Sequence, residues 1–327
     1  MTPSTEWKEV IGPDEGAVFE RLAQDLAGVQ AAIAAKRGGQ HRALHAKGNV
    51  AARAEFEVLA GLPPHARVGV FAEPKKYDAV VRFSNGAAAP QGDKKPDVRG
   101  IAVKVIGVGG KKLIPGLESA VTQDFLAILT SSQPFATPED FVWFVVSAQS
   151  PATLLPKALF RLGPGRLFAL LSRLKKGLGA PLSGLHTNRY YSALPIRFGS
   201  YAAKYSFVPE AATEPGEPDL GGALGKLLAT KPVRWELQMQ FFTDEQNTPL
   251  EDSTRDWVGP WVPVAKLTLP QQTVNEAFST WAEGLSFDPW HAQEEFRPVG
   301  AMMRARSAAY RVSTQARKAS GEPTALP

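Results

Sequence analysis

Near the C-terminus, Met303, Arg306, Tyr310, Ser313 and Arg317 recur at a 3-4-3-4 spacing, which sets them on one face of a helix. On an ordinary surface helix that seam would be apolar. Here it holds two arginines, a tyrosine and a hydroxyl. Arg306 stands one turn before Tyr310, close enough for its guanidinium to reach the phenol oxygen. A guanidinium beside a phenol favours the phenolate, because an opposite charge stabilises the ionised form. Phenolate is the form that ligates ferric iron. The same residues also read as a tyrosine whose hydroxyl is satisfied on a solvated face, and the helix alone does not separate the two readings.

Two further groups carry chemical potential. Arg82 and Ser84 alternate with Val81 and Phe83, so on a strand they point to the same side. A buried arginine there requires an anionic partner, either a carboxylate of the chain or one brought by a ligand. In Arg42-Ala43-Leu44-His45-Ala46-Lys47-Gly48, one of five histidines sits between apolar neighbours and is flanked by two cations. His41 and His45 share the four-residue spacing of the HExxH zinc motif. Arg42 occupies the glutamate position, however, and the pair follows Gly38-Gly39 where a helix ends, so a zinc site is not indicated. No GxSxG elbow supports a serine hydrolase. The chain has no cysteine, which excludes disulfides, thiolate-ligated haem, iron–sulfur clusters and cysteine-zinc sites.

The elements that must position these residues are legible in outline. Val18, Leu22, Leu26, Val29 and Ile33 mark a helix over 15–37, ended by Gly38-Gly39. Residues 45–58 read as extended or irregular, Val68–Val70 and Ala79–Phe83 as short strands, and Ile101–Val108 and Asp124–Leu129 as further strands. Thr137-Pro138-Glu139-Asp140 is a helix start, with Thr at the N-cap and Pro in the first turn. Residues 153–178 continue as helix, broken at Gly163-Pro164-Gly165. Tyr190–Phe207 has strand character, and Glu210–Gly222 reads as a loop. Val233–Phe242 and Trp261–Leu269 alternate as strands, and Gln271–Gly284 and Val299–Arg317 read as helices. Strands amid helices, without βαβ regularity, predict an α+β fold built on an antiparallel sheet or barrel.

Composition narrows the class. With 327 residues, 44% of them hydrophobic and 21% charged, the chain can bury a sizeable core. No apolar run approaches the roughly 18 residues of a spanning helix. The net charge of +5 is scattered, which argues against nucleic acid as a partner. One region is the exception. Lys157, Arg161, Arg166, Arg173, Lys175 and Lys176 occur with no acidic residue among them. This basic 157–176 region reads either as an amphipathic surface for peripheral lipid contact or as a packed cover helix with a solvated basic face. The N-terminus lacks the basic start and apolar run of a secretory signal, which together with the missing cysteines suits a cytoplasmic protein.

Taken together, the motifs resemble those of one family. RALHAKGNVAARAEFEV resembles the distal stretch of haem catalases, where R-x-x-H-A-x-G precedes an F-E-V strand. VRFSN is similar to their V-R-F-S strand, DVRGIAVKV to their D-x-R-G-x-A-x-K segment, and ARSAAY to their proximal R-x-x-x-Y. All four occur in the family's order. TQDFLAIL, YYSALPIRFGSYAAKYSFVP and FRPVGAMMRARSAAY resemble the short catalase-related proteins, a group that includes small peroxidases and allene oxide synthases.

The resemblance implies a catalase-like antiparallel β-barrel with surrounding helices and haem b bound against the barrel. It implies a single haem domain over 15–317, with 1–14 an N-terminal extension and 318–327 a flexible tail. His45 would be the distal acid–base residue, with Ser84 fixing its ring. Tyr310 would be the axial ligand of the haem iron, kept anionic by Arg306. Arg42, Arg82 and Arg317 would hold the propionates. The family's distal asparagine corresponds to Leu129, where Thr130, Ser131 or Ser132 would have to substitute. The expected function is a haem-dependent peroxidase using hydrogen peroxide or an organic hydroperoxide together with an organic reductant, with weak catalase activity. The alternatives are a fatty-acid hydroperoxide isomerase or dehydratase and a haem-binding protein with little turnover. A homo-oligomer is compatible with the sequence.

Overall fold

The structure, a computed structural model, describes residues 1–38, 42–178 and 181–327. Gly39 and His41, named above, lie outside the described residues. Four strands lead the sheet: β1 (Lys47–Val58), β2 (Lys76–Asn85), β3 (Arg99–Ile106) and β4 (Thr122–Ile128). After two helices, α2 (Pro138–Ser147) and α3 (Pro151–Leu178), the chain adds β5 (Tyr190–Tyr191), β6 (Ile196–Phe198), β7 (Tyr201–Pro209), β8 (Val233–Phe241) and β9 (Val262–Leu269). The remaining helices are α1 (Glu15–Arg37), α4 (Leu220–Leu228), α5 (Glu276–Gly284) and α6 (Ala301–Ala316). The strand order is β5-β4-β3-β2-β1-β9-β8-β7-β6, and β5 also pairs with β7. That second pairing closes an eight-strand antiparallel barrel with β6 as an extra strand. Closure removes the exposed sheet edges that a chain this rich in β-structure would otherwise present.

Two-residue alternation explains both the core and the site. Val81 and Phe83 point into the barrel and are fully buried, where Phe83 meets Trp235 at 5.8 Å and Tyr190 at 6.0 Å between ring centroids. Phe56 stacks on Phe125 at 5.8 Å in the same interior. The residues between them face outward by necessity. Ala51, Val80 and Ile106 form an outer apolar face with Phe278, Ala282, Leu285 and Phe287, which roofs it. Arg82, Ser84 and Lys104 emerge on this same outer wall, yet each stays buried, Arg82 against Glu283 of α5, Ser84 against His45 and Lys104 against Glu322 of the chain end.

Several local expectations change. Val68–Val70 is not a strand: Gly69–Phe71 is a 3-10 turn, with Gly69 at φ 52° and no room for a Cβ against Phe296 and Gln293. The Tyr190–Phe207 stretch splits into β5, β6 and β7, because Ala193 and Gly199 take positive φ. The Glu210–Gly222 loop ends earlier than its composition suggests, since Asp219 accepts a hydrogen bond from the Gly222 N–H and caps α4. The helix expected from Gln271 starts at Glu276 behind the N-cap Asn275, because the Gln272 side chain is bonded to the Arg53 backbone of β1. Residues 153–178 bend at Gly163 as expected, at φ 71° and ψ 169°.

Residues 318–327 lie against the barrel. Ser320 N–H donates to the Gly284 carbonyl at 2.8 Å, and Leu326 joins the outer apolar face. Glu322 accepts from Lys104 at 2.6 Å, Thr122 at 2.8 Å and Ser286 at 3.0 Å. Burial works against the Lys104 charge, but Asp124 and Glu322 outweigh it and raise the lysine pKa. Removing one partner of such a buried pair strands charge. Glu322→Ala is therefore expected to destabilise the fold by about 3 kcal/mol, read as a lower urea midpoint; an unchanged midpoint would mean that the C-terminal residues are not docked in solution.

Candidate functional site

The seam of α6 faces the 42–48 segment and the end of α5. Arg306 donates through Nη2 to the Tyr310 Oη at 2.8 Å. Its own guanidinium is buried. Burial works to lower the Arg306 pKa, and the phenol of Tyr310 more than offsets it. Met303 Sδ lies 3.5 Å from Arg306 Nη1, so the arginine is braced from the preceding turn. Ser313 Oγ accepts from the Ala43 N–H at 3.3 Å and ties the histidine-bearing segment to α6. One seam of a helix thus supplies the phenol, its cation and a tether.

Arg42, Arg82 and Arg317 meet at Glu283, the second-last residue of α5. Arg82 Nε donates to Glu283 Oε1 at 2.6 Å, and Arg42 Nη1 bonds Oε2. Arg42 and Arg317 both donate to the Leu285 carbonyl, at 2.8 and 2.6 Å. Gly48 makes the approach possible, since a Cβ there would fall 2.0 Å from Glu283 Oε1. Burial works to raise the Glu283 pKa, but Arg82 and Arg42 hold it below the usual carboxylate range. Burial, then repulsion from Arg82 and Arg317, lowers the Arg42 pKa to about 9 against the pull of Glu283. Arg42 and Arg82 share the Glu283 carboxylate, Arg317 is held by the Glu283, Gly284 and Leu285 carbonyls, and the cluster carries a surplus of positive charge. Arg42, Ala46, Gly48, Glu283, Gly284, Arg317 and Lys318 line a cavity of about 460 Å³ here, within the range of small-molecule and cofactor sites.

His45 stands just before β1, at φ 54°. Its Nδ1 is 2.9 Å from Ser84 Oγ on β2, and its carbonyl accepts from Arg82 Nη2 at 3.1 Å. A register shift between Gly48 and Val50 re-aims the start of β1 toward this corner. Gly100 on β3 lies under the ring: a Cβ there would sit 2.7 Å from His45 Cε1. Burial first, and then Arg82, Arg306 and Arg42, depress the His45 pKa to about 3. The ring is neutral at ordinary pH, and it lies within electrostatic range of the arginine that holds Tyr310.

The structure brings His45, Ser84, Arg42, Arg82, Arg306, Tyr310 and Arg317 to one corner between the outer barrel wall and α6. Leu129 and Thr130 follow β4. Leu129 packs on the main core, while the Thr130 methyl would lie 3.3 Å from a Cβ at Gly177 of α3. Ser131 donates to Asp256 at 2.6 Å, and Ser132 is bonded to the same carboxylate. Those hydroxyls are committed elsewhere. Sequence reasoning missed Glu283 and Gly100. Glu283 is a lone acid at a helix end with no motif around it. Gly100 lies inside the quoted DVRGIAVKV, but its role requires knowing that His45 packs across it.

No protein-family model and no curated protein match this chain. Solved structures do. A fungal catalase aligns over 98% of this chain and 67% of its own, with a TM-score of 0.68 and 16% identity. Catalase A from Saccharomyces cerevisiae aligns over 98% and 67%, with a TM-score of 0.69 and 16% identity. A bacterial catalase aligns over 98% and 64%, with a TM-score of 0.62 and 15% identity. The chain spans about two thirds of the length of these catalases. The fold is catalase-like.

The site geometry makes two checks available. A base whose folded pKa is depressed contributes stability that is intact above pH 6.5 and is lost as the pH falls from 6.5 toward about 3. The ¹⁵N shifts of the His45 ring are thus expected to report a neutral imidazole through pH 5; a titration near 6.5 would place the ring in solvent. Gly100→Ala is expected to push the ring off Ser84 and change those shifts with little effect on the thermal midpoint.

Proposed function

We propose that the chain is a haem-dependent peroxidase. The observation that carries this reading is the cavity lined by Arg42, Arg317 and Glu283, with Arg82 bonded to the same carboxylate, in a chain that also pairs Arg306 with Tyr310 and Ser84 with His45. The donor set suits haem b. Tyrosine is the proximal haem ligand of catalases, and Tyr310 already accepts from a buried guanidinium. The surplus charge of Arg42, Arg82 and Arg317 suits two propionates, with bidentate arginine geometry favoured for carboxylates.

When bound, haem would supply the iron at which a hydroperoxide O–O bond is cleaved. The chain's own residues supply the rest. Neutral His45, held by Ser84, takes the proton of an incoming hydroperoxide and returns it to the departing oxygen. Arg306 stabilises negative charge on the Tyr310 oxygen through its hydrogen bond. His45 is half-buried, so each such contact counts for more than in open solvent. An organic reductant would complete the cycle.

A second reading, a haem-binding protein with little turnover, rests on Leu129. A leucine offers peroxide no hydrogen bond, and Ser131 and Ser132 are bonded to Asp256 instead. One missing bond is worth roughly 0.5–1.5 kcal/mol, about tenfold in rate. Catalase turnover, which must hold a second peroxide, suffers more than peroxidase turnover.

The spectrum of the haemin-titrated protein, before and after peroxide, tests the proposal. Tyr310→Phe is expected to abolish the ferric spectrum of the wild type; an unaltered spectrum and haem stoichiometry would rule Tyr310 out as ligand. His45→Ala is expected to keep haem and slow the peroxide-induced spectral change about 10²–10⁴-fold. Equal rates would remove His45 from the chemistry, and no peroxide-induced change in wild type would favour the passive binder. Leu129→Asn is expected to raise oxygen evolution more than dye oxidation, and brisk oxygen evolution by the wild type would contradict the role given to Leu129.

A further inference from the structure

The basic helix α3 presents an apolar face with no cover. Among the large hydrophobic side chains, Phe160 is 95% and Phe168 77% exposed, far beyond the scattered surface leucines of ordinary folds. Leu155, Leu159 and Leu171 are exposed on the same helix. The opposite stripe, Ala158, Leu162, Leu167 and Leu170, is buried and packs on Phe135 and the aromatics of α2. The helix is therefore anchored to the fold by one side and apolar on the other.

At about 100° per residue, Leu155, Leu159 and Phe160 fall within one half of the helix circumference, with Lys157 and Arg161 next to Phe160 on its far side. Beyond the bend at Gly163, Phe168, Leu171 and Lys175 share a sector at i, i+3 and i+7. Asp140 pairs with Arg161 and Arg166, and Asp256 pairs with Lys176. Among the described residues no carboxylate pairs with Lys157 or Lys175. Neither arm carries an acid of its own, and no described helix is long and apolar enough to cross a membrane.

We propose that α3 seats the protein on an anionic lipid surface, with Leu155, Leu159, Phe160, Phe168 and Leu171 in the headgroup boundary and Lys157 and Lys175 against lipid phosphates. Charge decides the occupant. An apolar sector rimmed by cations fits the interfacial-helix pattern and the potential of an anionic leaflet. A second copy of this chain fits worse, because a two-fold interface would set one cationic, acid-free patch against its copy. The inference stands apart from the haem reading, since none of these residues touches the arginine cavity.

The test is flotation of the full-length protein with vesicles of phosphatidylcholine alone or with added phosphatidylserine. The wild type is expected to float with the phosphatidylserine vesicles at low salt, to be released at high salt, and to stay behind with phosphatidylcholine alone. Phe160→Ser with Phe168→Ser is expected to weaken partitioning about tenfold or more, and Lys157→Gln or Lys175→Gln about fivefold each. All of these side chains are exposed, so thermal midpoints should match the wild type. No flotation with phosphatidylserine, or equal flotation with both vesicle types, would overturn the proposal. So would a concentration-dependent dimer, seen by light scattering, that the phenylalanine variants dissolve, because the face would then serve self-association.

Discussion

Three guanidiniums gathered at the end of α5, two of them on the Glu283 carboxylate and the third on its backbone carbonyls, set the terms for the rest of this structure. Arg82 cannot be moved from its strand without reversing every residue of β2, because its neighbours Val81 and Phe83 fill the barrel. Once Arg82 is fixed on the outer wall, burying it requires an anion, and Glu283 reaches it from the end of α5. Arg42 and Arg317 then arrive from opposite ends of the chain and bind the same Leu285 carbonyl. The cluster is thus a clasp between β2, the 42–48 segment, α5 and α6. Its surplus charge is the cost of that clasp.

The barrel provides the rigidity this arrangement needs. Its interior is packed with aromatic rings, so the outer wall is a fixed surface rather than a flexible sheet. Residues set on that wall two apart, such as Arg82 and Ser84, keep a constant separation and direction. The helices contribute what a strand cannot. The α6 seam places Arg306 and Tyr310 one turn apart so that a hydrogen bond of 2.8 Å forms within one element, independent of how the helix settles on the barrel. The site combines one pair whose geometry is local with another, His45–Ser84, whose geometry depends on β1 and β2 being in register.

How much of this was legible in the sequence follows from the same distinction. The Arg306–Tyr310 pair is readable from spacing, because helical periodicity alone brings the two together. Arg82 and Ser84 sharing a face is readable from strand alternation. That His45 meets Ser84 is not readable from periodicity, since the two lie 39 positions apart across a register shift; there the resemblance of the motifs supplied what spacing could not. Glu283 and Gly100 were invisible because their roles are defined by what lies across from them. The short errors have a common cause as well. Val68–Val70 has strand composition, but Gly69 must take φ 52° against Phe296, and no propensity scale contains Phe296. Gln271–Gln272 continues a helical pattern, but Gln272 is already bonded to β1. Tertiary contacts decided these segments after local preference had left them open.

The arginine cluster also bears on the acid–base power of His45. Burial lowers the basicity of the ring, and Arg82, Arg306 and Arg42 lower it further, to about 3. A base that weak is far from the operating pH at which proton transfer is most effective. Carboxylates placed among Arg42, Arg82 and Arg317 would cancel part of the positive field on the ring, and each pKa unit recovered corresponds to about 1.4 kcal/mol. A phenolate at Tyr310 would do the same to the field of Arg306. Burial, the larger cause, would still hold the ring's basicity down. Ser84 aims the ring through its hydrogen bond to Nδ1.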